Sequence, residues 1–307
     1  MDTNDIQNYI DNYIRENNGK SPSLEELNNY IKSYVENVNN LQLEEFEGLT
    51  PAEMEYIIRD PLNKSSPVQF NTLTPEEYNL SPIFRQIKLL LSHIEKEGEL
   101  NLTATGNIPP RIVKEMYPLG VADWIIESSG SKVSKETDSW SVHLARLVAE
   151  TSGIVKKRNN KLSLTANGKK TIKNDNALFL HLFWFYCERF NWGYFDRYDD
   201  FESMGQIGFP FTLYLLAKYG NEERMESFYA EKYINAFSYF TEQYEYSSEL
   251  GRSKMSALIS CYNSRVFMRT LHNWGFIERR IERGSLNFWS KPTELFEKMI
   301  RIKEIRE

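Results

Sequence analysis

Positive charge is concentrated in the stretch GIVKKRNNKLSLTANGKKTIK, residues 153–173, which holds no acidic residue. Asn159-Asn160 supplies turn chemistry between two short strand-like segments, so the stretch predicts a β-hairpin. Cations on a hairpin can neutralise nucleic-acid phosphates and release their counterions, which makes affinity depend on salt. The same charges would also suit the solvated edge of a structural module. On the first interpretation, four side chains contact phosphate: Lys156, Lys157, Arg158 and Lys161.

A second set of cations lies near the C-terminus, on a predicted helix and the hairpin after it. Helical spacing puts Arg265, Arg269 and His272 on one face, opposite apolar residues that we expect to be buried. Arginine can bind guanine edges through two hydrogen bonds. We expect these side chains mainly to contact phosphate, which positions a protein without specifying sequence. Three further arginines lie on the hairpin: Arg279, Arg280 and Arg283.

The helix before the first hairpin is a poorer base-reading surface. If its apolar residues are buried, its outer face holds a single cation among four polar side chains: Ser139, His143, Arg146 and Glu150.

Patterns for catalysis and metal binding are weak. Carboxylates at Asp196, Asp199 and Asp200 could hold Mg²⁺ through oxygen ligands, but we favour a hydrated loop between two buried helices, and metal binding there stays open. The four histidines match no metal-binding spacing, and no phosphate-binding glycine loop or nucleophile motif occurs. We therefore predict no enzymatic activity, no catalytic residue, no metal site and no cofactor.

The elements that must position the cations form a repeated pattern. Three times, an apolar-striped helix leads into a strand-like segment, centred on Leu100/Leu102, Leu162/Leu164 and Leu286/Phe288. In the last two copies Gly153 or Gly275 ends the helix, because glycine adopts the left-handed conformation at almost no cost. Helix, glycine, hairpin and helix are typical of a winged-helix unit. The first copy, with one strand-like segment, is partial.

The predicted fold is mainly α, with tandem winged-helix-like units and small β-hairpin wings around an aromatic helical layer. That layer is expected within residues 175–245, where apolar residues surround the helices almost completely. The predicted domains are an acidic helical arm (1–48), a first helical and winged-helix-like region (49–175), and the aromatic layer with a C-terminal winged-helix-like unit (176–307).

Charge is unevenly distributed along the chain. The net charge is -6, yet residues 1–60 alone carry 13 acidic and 4 basic residues. Two amphipathic helices are predicted in the arm, the second beginning with a capping signature in which Ser23 precedes Glu26 by three residues. An arm of this kind, within residues 1–48, could bind a protein partner.

Composition favours a cytoplasmic protein. The most apolar run, Ala177 to Cys187, is about half the roughly 20 residues needed to span a bilayer, so we expect no membrane association. The acidic N-terminus is unlike a secretory signal. Two cysteines, Cys187 and Cys261, allow no disulfide framework or cysteine-rich metal site, which fits a reducing compartment.

Several motifs resemble those of a family of uncharacterised bacterial proteins with tandem winged-helix-like units. They are LTATGNIPPRIVKEMY, LSLTANGKK, FNWGY with GQIGF, FYAEKY, and CYNSRVFMR with WGF, and they cover roughly residues 50–300. The resemblance implies a shape and carries over no catalytic residue.

We expect a non-catalytic cytoplasmic protein that contacts DNA or RNA through its basic wings. The alternative is a protein-interaction or scaffold module that uses the winged-helix-like units and the acidic N-terminal arm, since a fold does not dictate function. The sequence leaves the oligomeric state and the biological process open.

Overall fold

The computed structural model describes residues 3–196, 198, 201, 203–242, 251, 253–281 and 287–303. Over these residues the fold is mainly α with small antiparallel sheets, which confirms the predicted class. The chain divides into two compact units, Met1–Ser66 and Pro67–Glu307. In the described part of the chain, no helix combines the length and apolar character needed to cross a membrane.

The first unit contains three helices: α1 (Thr3–Glu16), α2 (Leu24–Asn39) and α3 (Pro51–Arg59). The predicted cap of α2 is present, because the Ser23 side chain accepts from the Glu26 N–H and the Glu26 carboxylate accepts from the Ser23 N–H. Thr50 and Glu53 form the same reciprocal cap on α3. These local signals fix where the helices begin.

The second unit opens with β1 (Val68–Phe70) and α4 (Pro75–Tyr78) and then forms a first repeat of helices and strands. The first repeat contains α5 (Pro82–Glu97), β2 (Leu100–Asn101), α6 (Pro110–Met116), α7 (Trp124–Ser129), α8 (Trp140–Thr151), β3 (Val155–Arg158), β4 (Lys161–Leu164) and α9 (Ala166–Thr171). Its three strands form one antiparallel sheet in the order β2-β4-β3.

Helix α10 (Asp175–Glu188) and a 3-10 turn (Trp192–Phe195) lead to a second repeat. It contains α11 (Phe209–Tyr219), β5 (Arg224–Met225), α12 (Glu226–Ala236), α13 (Tyr239–Glu242), α14 (Lys254–Tyr262), a π-helical segment (Asn263–Leu271), α15 (His272–Trp274), β6 (Ile277–Ile281), β7 (Phe288–Pro292) and α16 (Glu294–Met299). Its sheet has the equivalent order, β5-β7-β6. A final strand, β8 (Ile300–Ile302), pairs antiparallel with β1.

The same hydrogen bonds recur at the base of both hairpins. Gly153 and Gly275 adopt positive φ angles of 78° and 80° where the preceding helix ends. The Thr165 hydroxyl donates to the Gly153 carbonyl at 2.7 Å, and the Thr293 hydroxyl donates to the Gly275 carbonyl at 2.6 Å. Each threonine also caps the next helix. The chain therefore builds one local design twice.

The three copies inferred from the sequence correspond to two repeats. Leu100 of β2 pairs with Leu162 of β4, so the supposed first copy supplies the first helix and first strand of the repeat that contains the basic hairpin. The isolated strand needs no hairpin of its own because β4 is its partner. Leu286, which helped to define the third copy, lies outside the described residues.

The aromatic helical layer is centred on α10. Its Phe179 ring lies 5.3 Å from Phe84 of α5, while its Phe183 ring lies 5.0 Å from Trp274 and 6.0 Å from Phe209 of the second repeat. Edge-to-face contacts at these separations favour packing beyond simple area burial. Helix α10 thus joins both repeats through one aromatic core.

Candidate nucleic-acid interface

The strand register of the first hairpin decides which cations face solvent. Lys156 pairs with Ser163 and Arg158 pairs with Lys161, whereas the neighbouring pairs contain the buried residues Val155, Leu162 and Leu164. Because side chains alternate across a sheet, Lys156, Arg158 and Lys161 share the outer face. Lys157 shares the opposite face with Leu162.

The tip of this hairpin is firmly anchored. Asn159 and Asn160 both adopt positive φ, 49° and 57°, as the predicted Asn-Asn turn requires. The Asn160 side-chain amide donates to the Thr103 backbone carbonyl at 2.8 Å. The backbone carbonyl of Asn160 accepts from the Leu102 N–H at 2.9 Å. The outer-face cations are therefore held on a fixed backbone.

Among the residues that the structure describes, two of the four predicted cations have no counter-charge. The side chains of Lys156 and Arg158 are exposed and make no hydrogen bond or ion pair with any of these residues. Lys157 donates a long hydrogen bond, 3.4 Å, to the Gly106 carbonyl. Lys161 pairs with Glu99 at 3.0 Å, but both side chains are about half exposed, so the pair contributes little and can open.

Positive charge continues beyond the hairpin. Lys169, Lys170 and Lys173 are exposed in and just after α9. Lys169 and Lys173 line a shallow depression together with the Glu95 carboxylate, which moderates the local charge. These lysines extend the surface but are less free of acidic neighbours than Lys156 and Arg158.

The prediction that Arg265 faces outward is wrong. Its side chain is 1% exposed, and its Nε and Nη2 atoms donate to the two carboxylate oxygens of Asp196 at 2.8 and 3.0 Å. The carbonyls of Tyr198 and Phe201 accept further hydrogen bonds from its guanidinium. The helix is π-wound at this point, so the α-helical spacing from which the outer face was inferred does not apply.

Arg269 is likewise occupied. It donates to Asp196 at 3.1 Å and to the Phe195 carbonyl at 2.7 Å. Burial alone would raise the pKa of Asp196, but hydrogen bonds from Arg265 and the Tyr198 N–H, with the positive charges of both arginines, hold it below its ordinary value. Asp196 therefore stays ionised as the shared counter-ion.

The second hairpin is also neutralised. Arg279 donates to the buried Glu226 at 2.6 and 2.9 Å, because the register places it on the core face opposite Ser290. Arg280 donates to Glu223 at 3.1 and 2.6 Å. Arg283, which was predicted to lie on the same hairpin, is outside the described residues. Both described arginines of this hairpin are thus paired with carboxylates, Arg279 in the interior and Arg280 at the surface.

A single segment contacts the helices that precede both hairpins. The Phe195 ring lies 5.6 Å from Trp140 and 5.9 Å from His143 of α8, while the adjacent Asp196 binds Arg265 in the π-helical segment. No residue of α8 before Thr151 is exposed. Helix α8 therefore presents no open face to the edges of bases, and in the π-helical segment the two arginines expected to reach bases, Arg265 and Arg269, are bound to Asp196.

Another buried ion cluster corrects the expected outer face of α8. Arg146, expected at the surface, is buried and donates to Glu136 at 2.8 Å. Glu136 also lies 2.7 Å from Nδ1 of His143 and accepts from the Ile108 N–H at 2.6 Å. Ser139, assigned to the same outer face, is buried as well.

The carboxylates that complete these clusters were missed in the sequence. Glu136, Glu223 and Glu226 lie 10 to 57 residues from the arginines that they bind, so no fixed spacing marks them. As for metal binding, Asp196 is already engaged by arginines, and Asp199 and Asp200 lie outside the described residues. Among the residues with described positions, no group of three or more histidine, cysteine or acidic side chains is arranged to hold a metal ion.

Comparison with known proteins singles out the first repeat. Residues 79–177, about a third of the chain, match a family model described as the Y4jL N-terminal domain. This segment begins three residues before α5 and ends within α10, so it contains the whole sheet β2-β4-β3 and its cations. No curated protein and no solved structure matches the chain.

Proposed function

We propose that this is a non-catalytic binding protein whose first repeat contacts nucleic-acid phosphates through the outer face of its hairpin. The observation that carries the proposal is the pair Lys156 and Arg158, which are exposed, lack a counter-ion among the described residues and share a face with Lys161. An anchored backbone presents them, so little backbone entropy is lost when they meet phosphate.

We further infer that both repeats are winged-helix units. In each, a helix and a short strand precede further helices and a hairpin, and the short strand pairs with the second strand of that hairpin. The hairpin of the first repeat would then be the wing that touches the ligand.

Binding of this kind is expected to be insensitive to sequence. Contacts to phosphate position a protein, whereas base edges specify it. Because Phe195 packs on α8 and Asp196 binds the arginines that would otherwise reach into a groove, the hairpin is left to contact the backbone. Two buried, unpaired cysteines, Cys187 and Cys261, support a reducing compartment such as the cytoplasm.

Exchanging Lys156 and Arg158 for glutamate tests the proposal. In a salt series with a fluorescent DNA or RNA duplex of arbitrary sequence, the wild-type log affinity should fall linearly with log salt. The double variant should bind at least tenfold more weakly, with a slope reduced by about 2, since each lost phosphate contact removes roughly 0.9.

The matched control is Lys32→Glu with Arg59→Glu, which changes net charge equally but lies in the first unit, where both side chains are exposed. It should retain most of the affinity. Equal weakening by both double variants would mean that net charge alone acts, and unchanged binding by Lys156→Glu/Arg158→Glu would eliminate the hairpin as the site.

A second candidate function, capture of a protein by the N-terminal unit, is favoured by one observation. Helix α2 contains no buried residue, and three of its apolar side chains are exposed: Leu24, Val35 and Val38. Apolar surface of this kind is typical of a contact face.

A further inference from the structure

The sheet that carries the proposed site contains no aromatic ring. The chain has 18 tyrosines, 18 phenylalanines and 6 tryptophans, yet residues 99–108 and 153–173 contain none of them and no histidine. These two ranges, described throughout, hold the three strands of the sheet β2-β4-β3, the hairpin turn, the loop that anchors the turn, and α9. This part of the chain therefore offers cations to a ligand, but no ring.

The second repeat carries a ring at the equivalent position. Lys161 lies opposite Arg158 in the first hairpin, and Trp289 lies opposite Arg280 in the second. The guanidinium carbon of Arg280 is 5.7 Å from the centre of the Trp289 ring. The strand order thus accepts an aromatic side chain here, and the lysine of the first hairpin is a property of its sequence rather than of the fold.

Aromatic rings decide which form of nucleic acid a cationic surface prefers. Proteins that bind single strands combine a positive groove with aromatic side chains on which successive bases stack. In a duplex the bases already stack on one another, and the phosphates lie on the outside. A surface with cations and no ring can use the phosphates of either form, but it gains nothing from the unstacked bases of a single strand.

The density of phosphates then favours the duplex. Along its axis a duplex carries one charge about every 1.7 Å, compared with about 3.4 Å for one of its strands. The cations of the hairpin are close together: Lys156 and Arg158 are about 7 Å apart along one face of β3, and Lys161 lies directly across from Arg158. Each phosphate that they neutralise also releases more counterion from a duplex, with a salt slope of roughly 0.9 against 0.7 for a single strand.

The anchored backbone of the hairpin suits a ligand whose shape is already fixed. Hydrogen bonds from the Asn160 amide and from Lys157 tie the hairpin to the loop before α6. A single strand must be ordered before its phosphates match a fixed set of cations, and this ordering costs conformational entropy. A duplex holds its phosphates at a regular spacing before it binds, so it avoids most of that cost.

We propose that the first hairpin binds double-stranded nucleic acid in preference to single strands, and that it holds the phosphates without touching the bases. This inference rests on the proposed function and narrows its ligand to a duplex. DNA and RNA duplexes share the phosphate chemistry, so both belong in the test.

Fluorescence anisotropy with the full chain and labelled probes of about 20 nucleotides per strand tests the preference. At low salt, the wild type should bind a DNA or an RNA duplex at least about fivefold more tightly than oligo(dT) of the same length. It should bind oligo(dT) and an abasic strand of that length equally, within about twofold. A single stacked base would strengthen binding of oligo(dT) by about fivefold or more.

Two double variants show whether the hairpin sets the preference. Lys156→Glu with Arg158→Glu should lower duplex affinity and bring the ratio of duplex to single-strand affinity close to one. Lys32→Glu with Arg59→Glu, in the first unit, should keep the wild-type ratio. All four side chains are exposed, so circular dichroism should show the wild-type thermal transition for both variants.

The outcomes separate this inference from the proposed function. If oligo(dT) binds as tightly as the duplexes, or the abasic strand binds fivefold or more weakly than oligo(dT), the preference is wrong while phosphate binding by the hairpin stands. A preference that survives in the Lys156→Glu/Arg158→Glu variant also overturns the inference, because another part of the chain then sets it. A wild type that binds none of the probes overturns both.

Discussion

The Arg265 guanidinium and the Asp196 carboxylate lie together in the interior, where both have lost nearly all contact with water. The backbone carbonyls of Tyr198 and Phe201 accept further hydrogen bonds from the Arg265 guanidinium. Such a pair adds little net stability compared with apolar side chains, but removing one member strands the other charge in a medium of low dielectric. The segment around Asp196 is therefore a structural element, held by charges that looked functional in the sequence.

Replacing Asp196 by asparagine should lower the free energy of unfolding by about 3–5 kcal/mol, because two arginines would lose their shared counter-ion. Urea unfolding followed by circular dichroism measures the change. The control is Glu223→Gln, whose pair with Arg280 is largely exposed and should contribute about 1 kcal/mol or less. Similar losses in both variants would contradict a structural role for the buried cluster.

At the scale of elements, the two hairpins share a strand order but differ in charge. Counting from the glycine that ends each preceding helix, Lys156 and Arg158 correspond to Glu278 and Arg280. One outer-face cation is thus an acid in the second hairpin, and the other binds Glu223. The same strand order therefore carries a different surface charge in each hairpin.

The shared design can be tested through the threonines at the base of each hairpin. Thr165→Val and Thr293→Val each remove a hydroxyl that donates to a glycine carbonyl and caps the next helix, so each should cost about 1–2 kcal/mol of unfolding free energy. Thr171→Val, which loses a hydrogen bond within one helix, should cost about 0.5 kcal/mol. A loss at one hairpin base without a loss at the other would show that the repeats are held differently.

For the whole molecule, turns and helix ends that depend on neighbouring residues could be predicted from the sequence. Ion pairs between residues far apart in the chain could not. The Asn159-Asn160 turn, the glycine that ends each helix and the Ser23 cap depend on neighbouring residues, and all three were predicted. The sites of Arg265 and Arg279 were mistaken because their carboxylates lie 69 and 53 residues away. Pairing across that distance is set by how the repeats pack, which no spacing rule encodes.

Stability of the whole molecule should fall in two stages as the pH decreases. Burial lowers the pKa of His272 below 6.5, so its contribution is complete above about pH 6.5 and is lost as the pH falls through the lower folded value. In Asp196 and Glu136 burial would raise the pKa, but hydrogen bonds and arginine charges lower it. Their contribution is present above about pH 4 and is lost below it.

Urea unfolding between pH 7 and pH 3 should therefore show a shallow decline below pH 6.5 and a steeper one below pH 4. His272→Gln should remove most of the first stage, and Asp196→Asn should weaken the second. A stability that rises on acidification would contradict the assigned directions of these pKa shifts.

The pairing of β1 with β8 sets Val68 opposite Ile302 and Phe70 opposite Ile300. The first and last strands of the second unit are therefore neighbours in one two-stranded sheet. A short peptide could join these ends, and the chain could then be reopened at an exposed loop elsewhere without altering the repeats. Deleting the chain from Ile300 onward, by contrast, would remove the partner of β1. This would destabilise a strand that lies more than 200 residues upstream.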